Sequence, residues 1–239
     1  LTEVADALLL LLGPRAFEVM ETIPPAMPTW QQRYLLTAQA ATFWKQRYGA
    51  VSLDFSLTLA DDLIALQDRC ARAGVVLTPE NLRPLFHADY AEHWKESIAF
   101  LGILSEHWPL IEETLGMTIA AAREVRILTA LADVWRASPP DFPVFAIGST
   151  ASQTATAQLL AAIAHAPQGA VLLPGVDVAM DAAAWHSIAA GHPLHHVKQF
   201  MEHCGATLVD VTCLNSSPQR GEAGRGASTE ILTKPAPTG

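Results

Sequence analysis

Cysteine is scarce in this chain of 239 residues, and the three present, Cys70, Cys204 and Cys213, are widely scattered. That excludes a disulfide framework and a zinc site built on CxxC pairs, and it fits a reducing cytoplasm. Charge is also sparse: 16% of residues are charged, while half are hydrophobic. A chain of that balance has enough apolar surface to offset ordering entropy, so its bulk folds. Basic residues are outnumbered, 15 Lys+Arg against 24 Asp+Glu, for a net charge of -9. Autonomous binding to a phosphate backbone depends on Lys and Arg releasing counterions, so nucleic acid is bound weakly at best by this piece alone. Long apolar runs are lacking too. The longest, Ala7 to Leu12, follows Glu3 and Asp6, has no basic n-region, and is far below the roughly 20 residues that cross a bilayer. No membrane partner is expected. The first residue is Leu, so the sequence reads as a fragment of a longer frame.

What is present divides into three stretches. Residues 1–138 read as helices almost throughout. In Trp30 to Tyr48 the apolar positions Trp30, Tyr34, Ala38, Ala41, Trp44 and Tyr48 recur at spacings of three and four, predicting that stripe as the buried face. A helix over about Leu57 to Ala73 stops at Gly74, and Thr78-Pro79-Glu80 opens a short one. About Ala88 to Trp108 carries Tyr90, Trp94, Ile98, Leu101, Leu104 and Trp108 on one stripe before Pro109, and Thr118 is expected to cap a further helix bearing Leu128, Leu131 and Trp135. Trp94, Trp108 and Trp135 are core residues on this reading.

Residues 139–213 change to α/β. Val144–Ile147 and Ala170–Leu173 are short apolar runs bounded by Pro and Gly, predicting parallel, adjacent strands joined by a helix over about Thr154 to Ala164. Phe145, Ile147, Leu160, Ile163 and Leu172 are expected to be buried together. Asp181 caps another helix, one more ends near His203, and a strand is expected over Thr207 to Val211. Residues 214–239 are half Gly, Pro, Ser and Thr, with only Ile231 and Leu232 as an apolar pair; a disordered tail is predicted, reading like translated non-coding sequence.

Residue chemistry offers few catalysts. Ser149, in the loop Gly148-Ser149-Thr150-Ala151-Ser152, sits where a strand-to-helix turn could expose a nucleophile, which makes a small free-standing α/β hydrolase the alternative function. Its neighbour two residues on is Ala151 rather than glycine, and no acid and histidine follow in triad order. His186, His192, His195, His196, His203 and Cys204 crowd one region, but without HExxH spacing they read as capping and surface residues before ligands. Asp61-Asp62 reads as a solvated helix face. No P-loop motif is present. The residues therefore assign no catalytic, cofactor-binding or metal site.

Several segments together resemble the alphaproteobacterial type of the AddB family, the second subunit of a helicase–nuclease that processes double-strand breaks. They are Leu59-Ala-Asp-Asp-Leu63, Tyr90-Ala-Glu-His-Trp94, Phe100-Leu101, Trp108-Pro109, Pro139-Pro140 and Phe145-Ala-Ile-Gly-Ser-Thr150. The series continues through Ala155-Thr-Ala157, Leu159-Leu-Ala-Ala-Ile-Ala164 and Gly169-Ala-Val-Leu-Leu-Pro-Gly-Val-Asp177 to Ala184-Trp185 and His192-Pro193. Their order and spacing, over about residues 28 to 211, carry the specificity. The resemblance implies a helical insertion returning to a RecA-like βαβ lobe of an inactivated, incomplete superfamily 1 helicase domain. It implies packing on an AddA-like ATPase subunit, DNA as partner in the assembled cytoplasmic complex, and ATP bound in the partner. An iron–sulfur cluster and Mg²⁺ belong to a nuclease domain absent here, so no cofactor is expected in this stretch. An active helicase of that type ends its returning strand in Asp-Glu to hold Mg²⁺, whereas here the strand ends in Gly148-Ser149-Thr150. Two departures are Leu194, where the family has glutamine after His-Pro, and Ala151, where it has glycine.

Overall fold

The computed structural model describes residues 2–82, 92–177, 180–214 and 229–232. The chain divides into two compact units, residues 1–127 and 128–239.

The first unit is helical: α1 (Thr2–Leu9), α2 (Arg15–Thr22), α3 (Thr29–Tyr48), α4 (Leu53–Ala73), α5 (Pro79–Leu82), α6 (Glu92–Gly102), α7 (Trp108–Leu115) and the start of α8 (Ala120–Ala137). Local signals set the ends. Ser52 Oγ accepts from Phe55 N–H at the start of α4, and Gly74, left-handed at φ +69°, ends it with its N–H donating to Ala71 O. Thr78 Oγ1 accepts from Asn81 N–H at 3.2 Å, as the Thr-Pro-Glu signal predicts. Between α6 and α7 the residues Ile103–His107 form a π-helical turn, which shifts the phase of the buried stripe before Trp108. Tyr90 lies outside the described residues, and so does the side chain of Trp94. Thr118 does not cap α8; its hydroxyl donates to Glu112 Oε1, and its backbone bridges the segment Pro25–Met27.

One face of α3 departs from expectation. Its buried positions are Gln32, Leu36, Thr37 and Ala40, while Trp30 is 72% exposed and Tyr34 also faces solvent. The turn of the helix is decided by where α4 lies: Leu36 and Ala40 join Ala60, Leu63, Ile103, Leu104 and Trp108 in the core, and Gln32 is admitted because its Nε2–H donates to buried Gln67 Oε1 at 2.9 Å. Farther along α3, half-buried Trp44 stacks on Tyr48 at 5.1 Å and stands edge-on to Phe43 and Phe55, but Tyr48 itself is 60% exposed, so the expected stripe is not the buried face there either.

The second unit holds β1 (Val144–Ile147), α9 (Thr154–His165), β2 (Gly169–Pro174), α10 (Ala182–Ser187), α11 (His195–His203), β3 (Val211–Leu214) and β4 (Thr229–Leu232). β1 and β2 are parallel neighbours with Ile147 opposite Leu172, and α9 joins them. Sheet order is β1-β2-β4-β3, with β4 antiparallel to both β2 and β3. The fold class is therefore α/β with a strong helical bias. Two expectations need correction. The strand expected over Thr207–Val211 falls at Val211–Leu214, after a 3₁₀ turn over Leu208–Asp210 in which Asp210 Oδ2 accepts from both the N–H and the hydroxyl of Thr207. Thr229–Leu232, assigned to a tail without structure, forms β4, because a short strand needs an unpaired ladder on β2 and β3 more than it needs a core of its own.

The expected joint burial also holds only in part. Leu160 and Ile163 are buried, Leu172 is half-buried, and Phe145 and Ile147 are 65% and 70% exposed. The pleat gives the reason. α9 lies over the face that carries Gly169, Val171 and Leu173, with Val144 and Ala146 in register beside them; Phe145 and Ile147 point the other way on an edge strand. Asp181 caps α10 as predicted, accepting from Ala184 N–H at 2.8 Å. Trp108 and Trp135 are buried. Among the described residues, no helix is long and apolar enough to cross a membrane.

Candidate functional site

In an open α/β sheet, ligands collect beyond the carboxyl ends of the parallel strands. Here that place is the turn after β1, which runs Gly148 to Gln153 into α9. Gly148 N–H donates to Leu172 O, and Gly148 is left-handed at φ +79°. Ala151 is left-handed too, at φ +54°, the only such non-glycine residue described. An L side chain there costs on the order of 1–2 kcal/mol, so the turn holds mild strain at a position better suited to glycine.

Beside this turn a cavity of about 200 Å³ is lined by Ala151, Ser152, Thr154, Gln158, His196 and His203, with Phe200 of α11 also in its wall. His196 and His203 lie seven apart on one face of α11. Gln158 and Gln199 also face the cleft, and nothing in the sequence pattern singled them out. Ser152 lines it; Ser149 does not. Ser149 Oγ accepts from Ala151 N–H at 3.2 Å, closing the turn, and no histidine is hydrogen-bonded to it among the described residues. A nucleophile needs a base within reach and an acid orienting that base. The turn brings neither to Ser149.

The other histidines serve backbone ends. His186 Nδ1 pairs with Ala182 O, His165 Nδ1 with Ala161 O, and His192 Nδ1 accepts from Leu194 N–H. His195 stands edge-on to His196 at 5.5 Å. Cys204, just past α11, has its thiol pushed up to about 11 by burial, so it stays protonated and a poor nucleophile at neutral pH. No group of three or more His, Cys, Asp or Glu placed to hold a metal ion occurs among the described residues. Asp61 is taken by Arg33 in a two-pronged pair at 2.7 Å, and Asp62 is exposed beside it on α4.

The strand end itself offers hydroxyls and backbone amides. No carboxylate follows Ile147 in the turn, so it lacks the acidic group with which an ATPase holds Mg²⁺ at this strand end. No protein-family model matches this chain, and neither does any curated protein or solved structure.

Proposed function

We propose that this chain is a non-catalytic, helicase-like module of an AddB-type subunit, serving double-strand break repair and recombination in the cytoplasm. In this reading β1-α9-β2 is the remnant of a RecA-like lobe, packing on an AddA-like ATPase subunit and helping guide single-stranded DNA. ATP, Mg²⁺ and the iron–sulfur cluster act elsewhere in the assembled enzyme. The observation that carries the reading is the end of β1: the strand returns from a helical region into Gly148-Ser149-Thr150, where an active motor needs carboxylates.

The outer face of β1 supports it. Phe145 and Ile147 project from an edge strand into solvent, the kind of apolar patch that marks a surface meant to be covered. Mixing the chain with an AddA-like ATPase subunit and measuring mass by light scattering during size exclusion tests the proposal. A one-to-one complex is expected, weakened about tenfold or more by the pair Phe145→Ser and Ile147→Ser, since buried aromatic and aliphatic anchors dominate such interfaces. Separate elution of the two proteins overturns it.

A further inference from the structure

The helical unit contains a hollow of its own, of about 220 Å³. It lies where α4 ends, among Val75–Leu77, the first turn of α7 and the first turns of α8. Its existence follows from local geometry. Gly74 turns the chain sharply off α4, the π-helical turn over Ile103–His107 changes the helix phase ahead of Trp108, and the walls at Ala71 and Ala122 carry only methyl groups.

One buried, unpaired donor borders it. Trp108 is 3% exposed, and its indole Nε1–H has no acceptor among the described residues. Gln67, also buried in the wall, has its Oε1 spent on Gln32 and so offers that donor no acceptor. Buried N–H groups are nearly always paired, so an unpaired indole N–H beside a hollow asks for an acceptor. The acceptor already in the wall is committed, because Glu112 Oε1 receives both the Thr118 hydroxyl and Ile119 N–H at 2.9 Å.

We infer that this hollow binds a small, uncharged, mainly apolar molecule carrying one carbonyl oxygen. Charge sets the class. Glu112 lines the wall and repels a carboxylate, while Arg126 and the Trp108 N–H repel a cation; a neutral carbonyl meets neither objection. Leu77, Leu104 and Ile119 supply apolar contact for the body. The volume is about one and a half times the roughly 150 Å³ hollow that accepts benzene, which leaves room for a ring with a short substituent. Exposed Val75 and Val76 form an apolar rim for entry. The site is built wholly from the helical unit and does not depend on the proposed partner surface.

Acetophenone and ethylbenzene, alike in shape but with and without the oxygen, are the probes. In ¹⁵N-labelled full chain the Trp108 indole signal, assigned with Trp108→Phe, is expected to move saturably with acetophenone, together with the Gln67 side-chain NH₂ signals. Ethylbenzene is expected to bind about tenfold more weakly, a difference of about 1.4 kcal/mol. Ala122→Phe, or Ala71→Leu if the first does not fold, fills the hollow and should abolish the shifts while thermal unfolding stays cooperative. No saturable shift up to the solubility of acetophenone overturns the inference. So does equal affinity for the two probes, or a shift that survives in a folded, filled variant.

Discussion

Gly169→Val is expected to unfold the α/β unit outright. A Cβ at Gly169 would stand 1.8 Å from the carbonyl oxygen of Ile163 and 2.8 Å from its carbonyl carbon, with the Ala166 methyl at 3.1 Å. These are mostly backbone atoms in the last turn of α9, and they have nowhere to go. Ile163 O already accepts from Ala166 N–H, Gly169 N–H donates to Ala166 O, and Val144 N–H donates to Gln168 O. Moving any one of them breaks the junction that sets the register of β1 against β2. Ordinary overpacking costs about 1–3 kcal/mol when side chains yield. A clash with fixed backbone costs more, roughly 4 kcal/mol or above, against a total stability of about 5–15 kcal/mol for a domain. Gly102→Ala is the control: its nearest neighbour is the flexible Glu106 Oε1 at 4.0 Å, and a helical Gly→Ala change should be neutral or stabilising by up to about 1 kcal/mol. Urea unfolding followed by circular dichroism separates the two.

The second large effect lies on α3. Leu36→Asp places a carboxylate in a core where Leu36 is fully buried among Leu63, Ile103 and Leu104, apolar side chains that offer it no counter-charge. An unpaired buried charge costs several kcal/mol, enough to abolish cooperative unfolding of the helical unit. Trp30→Ser on the opposite face should change stability by no more than about 0.5 kcal/mol, because that indole is mostly in solvent. If Trp30→Ser proves the damaging change and Leu36→Asp the mild one, the helix is turned the other way. Thermal denaturation of the two variants decides it.

That pair of substitutions also shows what periodicity could and could not reveal. The existence of α3, α4, α9, β1 and β2 was legible, as were the ends marked by Thr78, Asp181 and Gly74, because capping and left-handed stops are local chemistry, whereas the Ser52 cap that starts α4 at Leu53 was missed. The rotation of α3 was not. Trp30, Tyr34 and Ala38 make a convincing apolar stripe, yet the core takes Gln32, Leu36 and Ala40, and the deciding term is a glutamine pair with Gln67 formed 35 residues away. The same limit explains Phe145 and Ile147: an apolar run signals burial on both faces, but only the position of α9 tells which face is covered. β4 was missed because a four-residue strand in a Gly- and Pro-rich stretch owes its order to the ladder it joins. At the turn after β1, the lack of a carboxylate was readable directly. The cavity lined by Ser152, Gln158, His196 and His203 was not, since it depends on how α11 meets α9.

The central claim, that the chain is a module without a motor of its own, is tested most directly by ATP hydrolysis in the presence of Mg²⁺ and single-stranded DNA. The purified chain alone should give no rate above the blank, whether or not DNA is added. A DNA-stimulated rate that disappears on substituting a residue of this chain, Ser149 or Thr150 among them, would contradict it.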